Sequence, residues 1–187
     1  MIKAPISLQD LRRRIYRKAK SDKTHRFWGL FVHIAKMETL LEAYRQAKRN
    51  GGAPGIDGRT FADIEAEGLA EFLAAVRDDL QTGRYQPQPN RRVEIPKDNG
   101  KVRVLQIPCI RDRVVQGALK LILEAVFEAD FCPNSYGFRP KRSPHRALAE
   151  VRRSVLRRMF TVIDVDLTRY FGAPGDRQEV SGASPLQ

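Results

Sequence analysis

The sequence has few of the residues that staple a chain or thread it through a membrane. Its 187 residues include two cysteines, three histidines and one tryptophan. Cys109 and Cys132 are not in Cys-x-x-Cys spacing, and His25, His33 and His145 do not join them at zinc-site spacings. Neither a disulfide scaffold nor a zinc ribbon fits, and both cysteines read as thiols. No run of 18 apolar residues exists, which argues against a membrane-spanning helix. The start, Met1-Ile2-Lys3-Ala4-Pro5, leads into a charged helical pattern rather than the apolar core of a signal peptide, so a cytoplasmic protein is expected. Nothing repeats internally. What remains is a composition of 42% hydrophobic and 30% charged residues, enough for one domain with a core or a core plus an extension.

Acidic residues are also in deficit: 22 Asp and Glu face 34 Lys and Arg, a formal charge of +12. The excess falls in two blocks, +9 over residues 1–50 and +9 over residues 91–160, with −4 over residues 51–90 and −2 over residues 161–187. Basic stripes of this kind attract phosphates through counterion release, which points to nucleic acid; a solvated protein surface is the plainer alternative.

Local patterns supply the elements. Ser7-Leu8-Gln9-Asp10 has capping-box form, and Leu11, Ile15 and Ala19 follow at helical spacing among Arg12, Arg13, Arg14, Arg17 and Lys18. Phe27, Trp28, Leu30, Phe31 and Ile34 form an apolar cluster, and Leu40, Leu41 and Tyr44 continue a second helix to Asn50-Gly51-Gly52, so a helical pair burying Trp28 is expected rather than an aromatic platform for RNA. Gly51 to Gly58 is a turn-rich loop. Phe61, Ile64, Leu69, Phe72, Leu73, Val76 and Leu80 then mark a helix with an acidic outer face. Two alternating stretches, Arg91–Pro96 and Lys101–Ile107, flank Asn99-Gly100 and predict a β-hairpin, with Arg103 and Leu105 on one face and Val102 and Val104 on the other. A long helix runs from about Arg111 to Ala129, and Ser143-Pro144 opens an arginine-rich helix. Phe160 to Leu167 reads as a buried strand, with Asp164 and Asp166 on one of its faces and Val165 opposite. Such a pair is a metal-site candidate; an aspartate at the surface or capping a turn fits as well.

The order of these elements, with four sequence blocks, resembles the group II intron reverse transcriptases and maturases. Gly52-Ala53-Pro54-Gly55-Ile56-Asp57-Gly58 is similar to the loop before the fingers of that family. Arg92 through Lys97 to Ile107-Pro108-Cys109-Ile110-Arg111-Asp112-Arg113-Val114-Val115-Gln116 resembles its first block, Pro133 to Ser143 its second, and Asp164-Val165-Asp166-Leu167-Thr168-Arg169-Tyr170-Phe171 its third. By that resemblance Asp166 would be the first catalytic, metal-binding aspartate of a polymerase palm, with the Leu167 carbonyl beside it and two Mg²⁺ ions activating a primer 3′-hydroxyl. Phe171 would lie under the sugar of the incoming nucleotide, although core packing fits the same spacing. Lys97 and Arg103 would neutralise the triphosphate of a dNTP. Arg111, Arg113, Arg139, Lys141 and Arg142 would line template RNA, and the helix bearing Arg12, Arg13, Arg14 and Arg17 would grip template or intron RNA.

The resemblance implies an α+β fold: a helical N-terminal extension (1–50), reverse transcriptase fingers with a β-hairpin (51–160), the first strand of an incomplete palm (161–171) and a disordered, unrelated tail (172–187). The family's second carboxylate motif, aromatic-x-Asp-Asp, is absent from the sequence, and Asp78-Asp79 reads as a solvated helix face. One aspartate does not hold two metal ions, so a truncated fragment without polymerase activity is expected, with a non-catalytic RNA-binding module and an inert remnant as the other readings. No membrane partner is expected, and an uncovered face of Ile163, Val165 and Leu167 would favour self-association.

Overall fold

A computed structural model of the chain describes residues 7–96 and 102–165. Asp166, Leu167, Phe171, Lys97 and the tail 172–187 lie outside the described residues. These form two units that divide between Pro133 and Asn134. Among the described residues there are seven helices and one two-stranded antiparallel sheet, a mixed composition compatible with α+β.

In the first unit, α1 (Leu8–Ser21) starts where the capping pattern places it, with the Ser7 hydroxyl accepting from the Asp10 amide at 3.2 Å. Leu8, Ile15 and Ala19 recur on one side and are buried. The next apolar stretch makes two helices instead of one: α2 (Leu30–Ile34) opens at Gly29, whose φ of 74° favours glycine, and α3 (Met37–Asn50) follows a break at Lys36. Trp28 is not buried between them. It is 84% exposed, because Phe27 takes the inward position and packs against the core while Trp28 precedes the helix on the outside.

Residues 61–81 also divide, into α4 (Phe61–Glu67) and α5 (Leu69–Gln81). The periodicity predicts one helix, but Gly68 has a φ of 116°, which no helix accommodates. The hairpin is as expected, β1 (Arg91–Pro96) pairing with β2 (Val102–Ile107) so that Val93 faces Leu105 and Ile95 faces Arg103.

α6 (Ile110–Phe127) is the centre of the unit, with α1, α2 and α3 packed against it and α5 against α3. Its stripe of Val114, Ala118, Leu121 and Ile122 meets Leu40, Ala43 and Tyr44 of α3 in one core. The two helices come close at Gly117, where a β-carbon would lie 3.2 Å from that of Ala43. Truncating a fully buried member such as Leu40 or Ile122 to alanine costs about 2–5 kcal/mol in cores of this kind.

In the second unit α7 (Pro144–Leu156) carries the expected Ser143 cap and a proline in its first turn. None of its residues is buried. The buried strand predicted after it does not form over 160–165: these residues have no regular structure, and Val162, Ile163 and Val165 are exposed. An apolar strand is buried only where neighbouring strands take its backbone bonds and a core takes its side chains, and neither is supplied among the described residues.

Candidate nucleic-acid interface

The arginines of α1 divide by the side of the helix on which they fall. Arg12 lies on the core side and donates to Glu124 of α6 at 2.6 Å, with both side chains largely covered. Lys20 and Lys23 donate to the carbonyl of Ala129, at 3.2 and 3.0 Å, and Lys23 also pairs with Asp130. Cations at that position complement the negative end of the α6 dipole. Lys18 holds Asp22 at 2.9 Å, which with the Thr24 contacts draws the Asp22 carboxyl down to about 2. Arg14 and Arg17 are exposed and have no acidic partner among the described residues; Arg13 has only a solvent-exposed contact to Asp10 at 3.7 Å. Tyr16 stands beside them, partly exposed. The helix thus presents free guanidinium groups outward while Arg12 and Lys20 fasten it down.

The cations at the start of α6 are engaged within the fold. Arg111 pairs with Asp79 of α5 and lies 5.2 Å from the centre of the Tyr85 ring. Asp79 is therefore an ion-pair partner, which corrects its reading as part of a solvated face. Arg113 donates to the carbonyl of Pro108 at 3.0 Å and to that of Ala53, fastening the loop over residues 51–58 to α6. Between the two arginines Asp112 is only 2% exposed, and it accepts from the Tyr85 hydroxyl at 2.6 Å and the Gln88 amide at 3.1 Å. Burial, together with the bond to this carboxylate, pushes the Tyr85 hydroxyl well above the ordinary tyrosine range. Sequence reasoning missed this junction of Asp112, Tyr85 and Gln88, because a lone aspartate between two arginines has no periodicity that marks it as buried.

Arg103 of β2 is exposed and shares a face with Leu105; its expected companion Lys97 lies outside the described residues. In the second unit Arg139 donates to the carbonyl of Ser135 at 2.8 Å, Arg142 lies 5.4 Å from the centre of the Tyr136 ring, and Lys141 is exposed with a φ of 60°. Arg152 and Arg157 are exposed, and Arg153 pairs with Glu150. The candidate residues therefore fall in both units: the arginines of α1 and α6 in the first, Arg139, Lys141 and Arg142 in the second. Asp164 is exposed, and no three His, Cys, Asp or Glu side chains gather as a metal site among the described residues.

No family model matches the chain. Individual relatives do. Protein YkfC of Escherichia coli is 41% identical over 170 residues, 88% of this chain and 44% of that protein. Group II intron-encoded protein LtrA of Lactococcus lactis subsp. cremoris is 34% identical over 142 residues, 75% of this chain and 23% of that protein. The chain is a homologue of the group II intron-encoded proteins. Nuclear intron maturase 1 of Arabidopsis thaliana is 35% identical over 106 residues, 48% of this chain and 15% of the maturase. The chain spans less than half the length of these relatives. No helix of the described residues is long and apolar enough to cross a membrane.

Proposed function

We propose that this chain carries the RNA-gripping and fingers portion of a group II intron reverse transcriptase and maturase, and that its own activity is to bind RNA. The observation that carries this reading is the division of α1. Arg12 fastens the helix to α6, and Lys20 with Lys23 just past its end fastens it to the turn that follows α6, whereas Arg13, Arg14 and Arg17 are exposed on its outer face. A helix anchored by cations that still presents others outward suits the phosphates of RNA, because the bound groups are already positioned and only their counterions need to leave.

The polymerase reading is the family's. RNA-templated addition of dNTPs to a primer needs a carboxylate set that can hold two divalent ions. Asp166 and the Leu167 carbonyl are oxygen donors of the kind Mg²⁺ takes, but one carboxylate and one carbonyl are a short set for two ions. The second motif that would complete it is not in this sequence, so no step of nucleotide addition is derived from these residues. Lys97, Arg103 and Phe171 keep their proposed places at a nucleotide, and a cytoplasmic location stays with the reading.

The test is a filter-binding and primer-extension pair on the purified chain. RNA retention without Mg²⁺-dependent dNTP incorporation is the expected outcome. Incorporation that disappears in Asp166→Ala would overturn the non-catalytic part; absence of RNA retention would overturn the whole.

A further inference from the structure

The single tryptophan of the chain is its most conspicuous exposed aromatic in the first unit. Trp28 is 84% exposed, and Phe31 and Val32, three and four residues on, are also on the surface at 51% and 64%. Phe31 and Val32 are neighbours in the first turn of α2, and Trp28 precedes that helix across Gly29, so three exposed apolar side chains fall within five residues at its start. Leaving an indole in water forgoes the burial that makes tryptophan valuable to a core, and the cause is not a loose segment.

The connector that displays it, residues 22–29, is tied at several points. Asp22 accepts from the amide and hydroxyl of Thr24 at 3.2 and 2.9 Å, and the His25 amide donates to the Asp22 carbonyl at 3.3 Å. The His25 ring meets Phe27 edge to face at 4.6 Å, and Phe27 packs against the core. Gly29 then turns in the left-handed region, with open space around its α-carbon. Trp28 is thus held outward between an anchored residue and a glycine, and both flanking helices rest on α6.

The charge around the patch selects the partner. From Arg12 to Lys36 the chain has nine Lys and Arg and one acidic residue, Asp22, which Lys18 already neutralises. Arg26, two residues before Trp28, is exposed with no ion-pair partner among the described residues. A partner that is polyanionic and also offers flat apolar faces satisfies both features. An unpaired RNA strand does, since its phosphates meet guanidinium groups and each splayed base has a face for an aromatic ring. An anionic bilayer fits less well, because the exposed face of α1 bears no aliphatic side chain to enter it.

We infer that Trp28 is a stacking residue for an unpaired base of bound RNA, making the N-terminal helices a reader of single-stranded rather than duplex segments. This rests on the RNA-binding reading above and adds to it a residue and a strandedness. Phe31 extends the stacking surface, and Arg26 with Arg14 and Arg17 supplies the phosphate contacts.

Trp28 is the sole tryptophan, so emission excited at the red edge, where the five tyrosines do not absorb, reports on this residue alone. The experiment titrates the chain with a 12-nucleotide single-stranded RNA and with the blunt duplex of the same sequence, following emission and filter retention in parallel. The single strand is expected to quench the emission. Trp28→Ala is expected to lose single-strand affinity by roughly 5- to 150-fold, with Trp28→Phe retaining most of it and duplex affinity little changed. An exposed side chain leaves the fold intact, which an unaltered circular dichroism spectrum verifies. RNA retention with unquenched emission and equal affinity for Trp28→Ala would overturn the stacking role and leave RNA binding standing. Absence of retention of both RNAs by the intact chain would overturn the RNA reading itself. Quenching or a blue shift with phosphatidylserine vesicles but not with RNA would assign the patch to lipid and overturn the inference.

Discussion

Gly55 rests against the backbone of Cys109, so close that a β-carbon at position 55 would stand 2.6 Å from both the Cys109 nitrogen and its α-carbon. No side-chain rotation relieves a contact with backbone. Gly55→Ala must therefore lift the loop over residues 51–58 from the start of α6, against the hold of Arg113 on Ala53. The expected loss is about 1–3 kcal/mol, the range for overpacking a fitted contact, read as a lower urea midpoint. An unchanged midpoint would mean that the loop is not seated there.

Asp112 carries the second prediction. Its carboxylate is the acceptor for both the Tyr85 hydroxyl and the Gln88 amide in a buried setting. Asp112→Ala leaves both donors unpaired, at a cost of about 1–3 kcal/mol or more. Tyr85→Phe removes one donor and leaves the other satisfied, so it should cost less. Because the two groups share a bond, the double variant should be less destabilised than the sum of the single ones in a urea-denaturation cycle. Additivity would show that the pair does not interact.

A third expectation concerns alkaline pH. Burial, helped by the Glu65 carboxylate, pushes the Tyr44 hydroxyl up to about 12 from an ordinary value near 10. The folded state therefore holds its phenolic proton more tightly than the unfolded chain. The associated stability is full below pH 10 and is lost as the pH rises toward 12. Tyr85, raised in the same direction, contributes likewise. In alkaline unfolding followed by circular dichroism, Tyr44→Phe should unfold less steeply with pH above 10; an identical profile would contradict the assignment.

How much of this was legible in the sequence differs from element to element. Helices α1 and α6 follow from periodicity, since burial on one face imposes it; α7, none of whose residues is buried, was legible from its Ser143-Pro144 start, and the hairpin from the two alternating stretches about Asn99-Gly100. The break at Gly68 was not legible, because apolar positions on both sides keep helical phase and only the backbone angle interrupts it. Trp28 misled for a different reason. A cluster of five apolar residues holds more than the available core accepts, and composition does not say which ring stays outside. The free arginines of α1 could be placed on a helix but not told apart from Arg12, whose partner Glu124 lies 112 residues away.

The exposed residues Val162, Ile163 and Val165 carry a fourth prediction. An uncovered apolar run of this kind favours association between chains. Sedimentation velocity should show concentration-dependent self-association, reduced by Ile163→Asp with Val165→Asp. A monomer at all concentrations would contradict it.

The central claim is that the outward cations of α1 bind RNA phosphates. The most direct test is the salt dependence of affinity for a single-stranded RNA, measured for the intact chain and for the Arg14→Gln, Arg17→Gln double variant. The slope of log affinity against log salt should be steeply negative, and the variant's slope should be shallower by about 1.4, two phosphate contacts at about 0.7 each. Affinity indifferent to salt, or the same slope in the variant, would contradict the account.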